Sequence, residues 1–329
     1  MKICITGGAG FIGFHLAQKL RKEGHGVFGF DNFNSYYDVD LKRKRAEILE
    51  SLGIHIEPLD LRVRSKLIEY LDQIRPDVII HLAAMAGVRH SMDDPTSYIE
   101  NNIVGTHNLI EACDLLNIEK VVYASTSCVM AGNTLPWKED EKLGVAKNPY
   151  GYSKATNEAQ FISSKIDSTI GLRFFTVYGP WGRPDMAYFS FTKAILENKP
   201  IKVFNNGNMM RDFTYIDDII EGISRVIEDP SLPNKAWNRE SPMASTSSAP
   251  YRILNLGNSK PIYLSRFIES IEKATNKKAI IEYLPMQPGD VEKTYANMEK
   301  MENQYKFKPK TQIEDGIREF VDWYRNYYG

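Results

Sequence analysis

The sequence predicts an α/β fold, a doubly wound parallel sheet with a smaller mixed α/β lobe. Three observations carry this expectation. A short apolar run, Met1-Lys-Ile-Cys-Ile-Thr6, meets a glycine turn, Gly7-Gly-Ala-Gly10-Phe-Ile-Gly13, before a helix-like segment from His15 to Lys22. Apolar strand runs and helix-periodic stretches alternate over about the first 170 residues, the pattern of helices covering a parallel sheet. The later half changes texture, with loops rich in breakers and two amphipathic helices.

The elements follow in order. A second apolar run, Gly26-Val-Phe-Gly-Phe30, ends on Asp31, which completes a βαβ unit. Val78-Ile-Ile-His-Leu82 and Lys120-Val-Val-Tyr-Ala124 read as buried strands, and Tyr98 to Leu116 has helical periodicity between them. Gly179-Pro-Trp-Gly-Arg-Pro184 is a loop. Pro233 to Pro250 is poor in apolar residues and reads as a long surface connection without function of its own. Tyr251-Arg-Ile-Leu-Asn-Leu256 is a strand, and Leu264 to Thr275 and Ile313 to Tyr328 are helices. The expected division is residues 1–175 as the first domain and residues 176–329 as the lobe, with some segments returning to the first domain.

A chain of 329 residues buries a large core. Its net charge of −1 gives no electrostatic argument for nucleic acid. No apolar run reaches the roughly 18 residues of a membrane span. The three cysteines, Cys4, Cys113 and Cys128, have neither metal nor disulfide spacing, so no metal is expected and a reducing cytoplasm fits.

The βαβ unit has the physics of a dinucleotide site. Gly7 permits a tight turn, Gly10 lets the backbone approach a pyrophosphate, and Gly13 lets helix and strand pack closely. The helix N-terminus offers N–H groups and positive dipole to the phosphates. Asp31 is placed to accept hydrogen bonds from ribose hydroxyls and would repel a 2′-phosphate, which favours NAD over NADP, with Lys42 and Arg43 the cations able to reach back. His81-Leu-Ala-Ala84 and Ala124-Ser-Thr-Ser127 fall at strand ends, where ligands of such sheets lie.

Tyr150 and Lys154 stand four residues apart, on one face of any helix that holds them. A phenol near an ammonium becomes a stronger candidate base, since the cation favours phenolate. Thr126, at a strand end, would share a substrate oxygen with Tyr150. Tyr152 is the weaker rival, because Thr156 follows it at that spacing.

Together these motifs resemble the extended short-chain dehydrogenase/reductase family, the nucleotide-sugar epimerases and dehydratases on a Rossmann fold. The likeness runs through Asp60-Leu61 and His81-Leu-Ala-Ala84 to Phe320-Val-Asp-Trp-Tyr324. Three segments look like those of UDP-glucuronate 4-epimerases: Leu172 to Ala187, Ser245 to Tyr251 and Leu284 to Asp290. The resemblance implies NAD as cofactor, with Asp60 and Leu61 flanking adenine. Ala83, Asn102, Tyr150 and Lys154 would hold the rest, with Phe11 and Ile12 of the glycine turn and Asn32 beside Asp31 also in the site. It implies a UDP-sugar substrate near Arg89, Ser127, Cys128, Thr176, Arg183, Arg211 and Asp290, and a homodimer.

The implied chemistry is oxidation at C4 to a 4-keto sugar, rotation in the pocket, and reduction from the other face. Dehydratases of the family carry an acid pair after the threonine, and decarboxylases a glutamate where Cys128 stands. Ser127-Cys128 supplies neither, so epimerisation of UDP-glucuronate is expected, the alternatives being epimerisation of a neutral or N-acetylated UDP-hexose or decarboxylation of UDP-glucuronate. One departure bears on the sugar: Met130 stands where relatives carry a tyrosine.

Overall fold

The computed structural model describes residues 1–329. The first half runs β1 (Lys2–Thr6), α1 (Phe11–Lys22), β2 (Gly26–Asp31), α2 (Val39–Ser51), β3 (Ile56–Pro58), α3 (Arg64–Ile74) and β4 (Val78–His81). Two short helices, α4 (Val88–Asp93) and α5 (Pro95–Tyr98), lead through a π-helical turn, Ile99–Val104, into α6 (Gly105–Leu116). Then come β5 (Lys120–Thr126), a 3-10 turn (Ser127–Met130), α7 (Pro149–Ile162) and β6 (Ser168–Phe174).

The later half contains β7 (Thr176–Tyr178), α8 (Ala187–Leu196), β8 (Pro200–Phe204), β9 (Met210–Arg211), β10 (Phe213–Tyr215) and α9 (Ile216–Ile227). It ends with β11 (Tyr251–Leu256), β12 (Ile262–Tyr263), α10 (Leu264–Thr275), β13 (Ile280–Leu284), α11 (Glu299–Tyr305) and α12 (Ile313–Tyr328). The first helix therefore starts at Phe11, four residues before the apolar periodicity signals it, because the glycine turn itself is its N-terminus.

Seven strands form one parallel sheet in the order β11-β6-β5-β4-β1-β2-β3. The order reverses on either side of β1, which opens a crevice at the carboxyl ends of the strands. Register lines those ends up: Thr6 pairs with Phe30 and His81, and Thr126 pairs with Phe174. Alternate residues of each strand face opposite helix layers. Ile3, Ile5, Val122 and Leu254 pack with Phe14 and Phe320, while Cys4, Ile79, Val121 and Ile253 pack with Leu67, Leu109 and Phe161.

β11 comes from late in the chain yet pairs with β6 along its whole length. The small sheets β7–β10, β9–β12 and β8–β13 build the lobe over the crevice. The 233–250 segment has no helix or strand, but it is tied in. Asn234 N donates to Ser247 O and Ile253 N to Ser245 O, and buried Ser245 hydrogen-bonds Asp140. The segment is the surface connection expected, mostly exposed, with serine and asparagine hydrogen bonds tethering it where apolar burial does not.

Candidate active site

The glycine turn has no room for side chains. A Cβ on Gly7, whose φ is +72°, would lie 2.9 Å from Ala83 N. On Gly10 it would lie 2.9 Å, and on Gly13 2.3 Å, from the carbonyl oxygen of Gly7. Gly10 caps α1 without a side chain, so the first-turn N–H groups stay free for an anion. Phe11, Ile12 and Gly13 all line the main cleft.

Asp31, at the end of β2, lines the same cleft and accepts a hydrogen bond from Phe33 N at 2.9 Å. Burial raises its carboxyl, and the neighbouring Lys42 ammonium pulls it back. Of the two cations able to reach back, Lys42 does so, buried beside Asp31 and donating to Asn34 O at 2.7 Å, whereas Arg43 pairs outward with Asp40. Asn32 donates to Asp60 at 3.0 Å. Burial alone would raise Asp60, but hydrogen bonds from Arg62 and Asn32 bring it down to about 2. Leu61 and Ala83 complete this wall. A cradle closed to any Cβ, free helix N–H groups and an acid at the second strand end fit a nicotinamide dinucleotide.

Asn102 is expected in that wall and is not there. It is buried behind it, accepting from Met85 N at 2.8 Å and donating to Met85 O and Ser153 Oγ. The π-turn adds a residue to the helical phase, and Asn101 faces the cleft instead.

Thr126 closes β5, and Tyr150 and Lys154 share one face of α7. Pro149 begins that helix, and Asn148 caps it by accepting from Gly151 N at 2.8 Å. All three candidate residues line the cleft. Desolvation pushes the Tyr150 phenol up to about 12 and Cys128 adds to this, while the Thr126 hydroxyl and Arg183 pull it back. Burial pushes the Lys154 ammonium down to about 8, and it donates to Ala124 O at 3.0 Å. This bond ties the helix that carries Tyr150 to β5.

Ser127, Cys128, Thr176 and Arg183 line the other end of the cleft. Arg183 donates to Asp185 and to the carbonyl of Ala86, and Tyr36 donates to Asp185 at 3.0 Å. Arg89, Arg211 and Asp290 stand outside the main cleft lining. Arg211 pairs with Asp290 at 2.9 Å and donates to Glu292 O, and Arg89 lies over the Phe204 ring at 4.5 Å. Arg211 and Asp290 are among the charges that act on the Cys128 thiol, which lines the cleft.

Met130 does not line the cleft; it is fully buried, its sulfur accepting from Arg173 at 3.0 Å. The sequence reading passed over Tyr36, Tyr37, Phe175, Met186 and Tyr188, which line the cleft, and Arg45. Arg45 is fully buried and donates to Ala9 O in the glycine turn and to Trp181 O across the lobes.

Comparisons with known proteins agree with this geometry. The model of the NAD dependent epimerase/dehydratase family matches residues 3–238. A Staphylococcus aureus protein named CapI is 46% identical, covering 100% of this chain and 99% of its own. A probable UDP-glucuronate 4-epimerase of Rhizobium meliloti is 41% identical, covering 100% and 98%. Among solved structures, UDP-glucuronic acid 4-epimerase from Bacillus cereus, in complex with UDP-glucuronic acid and NAD, superposes with a TM-score of 0.87 at 32% identity over 100% of both chains. The chain belongs to the NAD dependent epimerase/dehydratase family.

Proposed function

We propose that the chain epimerises UDP-glucuronate at C4 to UDP-galacturonate through a transient 4-keto sugar, with NAD as its cofactor. The observation that carries this reading is the acid inventory of the cleft. Thr126, Tyr150 and Lys154 supply alcohol-oxidising chemistry, while the only lining carboxylates, Asp31 and Asp60, sit at the ends of β2 and β3. β4 and β1 separate them from Thr126. No acid therefore lines the cleft beside Thr126 and Tyr150 to expel water or promote loss of CO₂.

The glycine cradle would hold NAD, which when bound would supply the hydride-accepting and hydride-returning chemistry at C4. Tyr150 takes the O4 proton and gives it back, and Thr126 holds that oxygen by hydrogen bonding. Lys154 braces α7 on β5 and would help hold the cofactor's ribose. Gly7, Gly10 and Gly13 admit the pyrophosphate, Asp31 and Asn32 take the adenosine ribose, and Asp60, Leu61 and Ala83 border the base and its neighbours. Asn102 supports that wall from behind through Met85.

Ser127, Cys128, Thr176 and Arg183 surround the sugar and its carboxylate, while Arg211, Asp290 and Arg89 hold the UDP. A guanidinium suits this work because its fork donates two hydrogen bonds to an anion. Residues 1–175 hold the cofactor and the later residues mainly the nucleotide sugar, with β11 returning to the sheet. A cytoplasmic homodimer belongs to the same proposal.

Incubation of the protein with UDP-glucuronate, followed by anion-exchange chromatography, tests the reading. UDP-galacturonate is the expected product. A UDP-pentose with released CO₂, or conversion of UDP-glucose alone, would overturn it.

A further inference from the structure

Three consecutive residues at the end of β5 meet α7 at positions spaced four apart. Thr126 neighbours Tyr150, Ala124 O accepts from Lys154 Nζ at 3.0 Å, and Ser125 Oγ donates to Glu158 Oε1 at 2.6 Å. Positions 150, 154 and 158 share one helix face. The first two line the cleft; Glu158 does not.

Glu158 is held from the other side by Arg173, which is fully buried on β6. Arg173 Nε donates to Oε1 at 2.9 Å and Nη2 to Oε2 at 2.8 Å, a bidentate pair. Its remaining Nη1 donates to Met130 Sδ at 3.0 Å, at the end of the turn that carries Ser127 and Cys128. Ser125 and Arg173 are also register partners across β5 and β6. Strand, helix and turn are thus locked by one carboxylate and one guanidinium.

Burying an ion pair is a poor way to gain stability, because desolvation offsets the attraction and apolar replacements are often as stable. We propose that Ser125, Glu158 and Arg173 form a positioning device, which fixes the register of α7 on β5 and hence the distance from Tyr150 to Thr126 and the reacting oxygen. The inference rests on the epimerase reading for its kinetic consequence and on the fold alone for its geometry.

The test compares Ser125→Ala, Glu158→Gln and the apolar double replacement Glu158→Leu with Arg173→Met. Both single variants are expected to lower kcat by about tenfold or more with KM within about twofold, since small misplacements of reacting groups cost rate steeply. The double replacement is expected to melt at or near the wild-type temperature and still turn over slowly. A kcat that recovers with the melting temperature would overturn the proposal by making the pair merely structural. Crystal structures of Ser125→Ala and Glu158→Gln give a second readout. A lengthened bond between Lys154 Nζ and Ala124 O supports the device, and an unchanged 3.0 Å bond contradicts it. Absence of turnover in the wild-type protein would overturn the epimerase reading alone, leaving the crystallographic comparison to decide the positioning role.

Discussion

Lys154 Nζ donates to the carbonyl oxygen of Ala124 at 3.0 Å, two residues before Thr126 on the same strand. The ammonium therefore braces the helix that carries Tyr150 against the strand that carries Thr126. The phenol is left as the group that handles the O4 proton. Tyr150→Phe removes that hydroxyl while keeping the ring. Its kcat on UDP-glucuronate should fall by about 10²- to 10⁴-fold, with the melting temperature unchanged, as steady-state kinetics and calorimetry would show.

Lys154 carries a stability cost that the reading makes measurable. Burial takes its ammonium from an ordinary 10.5 to about 8. Between those values the unfolded chain binds the extra proton, so the penalty is full below pH 8 and fades as pH rises toward 10.5. Lys154→Met should be inactive yet more stable than wild type at pH 7, by on the order of 1–3 kcal/mol. The gap should narrow as pH rises through that window. Urea unfolding at several pH values checks both the sign and the slope.

In the proposed reading Asp31 and Lys42 together set the choice of dinucleotide. The carboxylate would accept from ribose hydroxyls and oppose a 2′-phosphate, with Lys42 beside it. Asp31→Asn should weaken NAD by about tenfold, the worth of a hydrogen bond to a charged group. The same change should strengthen NADP, which then meets Lys42 without the opposing anion. Calorimetric titration of both cofactors measures the narrowing.

Cys128 lines the cleft, and desolvation raises its thiol above the ordinary value of 9.0. The thiolate is the reactive form. Iodoacetamide should label Cys128 at pH 7 more slowly than a free cysteine, faster as pH rises, and more slowly again with UDP-glucuronate present. Peptide mass spectrometry reads the site directly, and rapid labelling at pH 7 that UDP-glucuronate does not slow would contradict the placement.

The parts of the site that were legible in the sequence are those whose logic is local. Gly7, Gly10, Gly13 and Asp31 fall within one βαβ unit, and Tyr150 and Lys154 within one helical turn. Residues brought in from distant segments left no local mark. Arg45 reaches Ala9 O and Trp181 O only once α2 folds back over the turn. Tyr36 meets Asp185 only when the two halves close. β11 was readable as a strand, and its unbroken burial over Ile253–Leu256 is the mark of a central-sheet member. The π-turn around Asn102 leaves no periodic signature and places that side chain on Met85 and Ser153. Met130 packs in the core, the commoner role of a methionine, with its sulfur on Arg173.

The central claim is that hydrogen leaves C4 and returns to the same carbon within one turnover. UDP-glucuronate deuterated at C4 tests it most directly, with mass spectrometry and proton NMR of the product. The account predicts UDP-galacturonate that retains its deuterium at C4 in ordinary water. UDP-galacturonate carrying solvent hydrogen at C4 would contradict it.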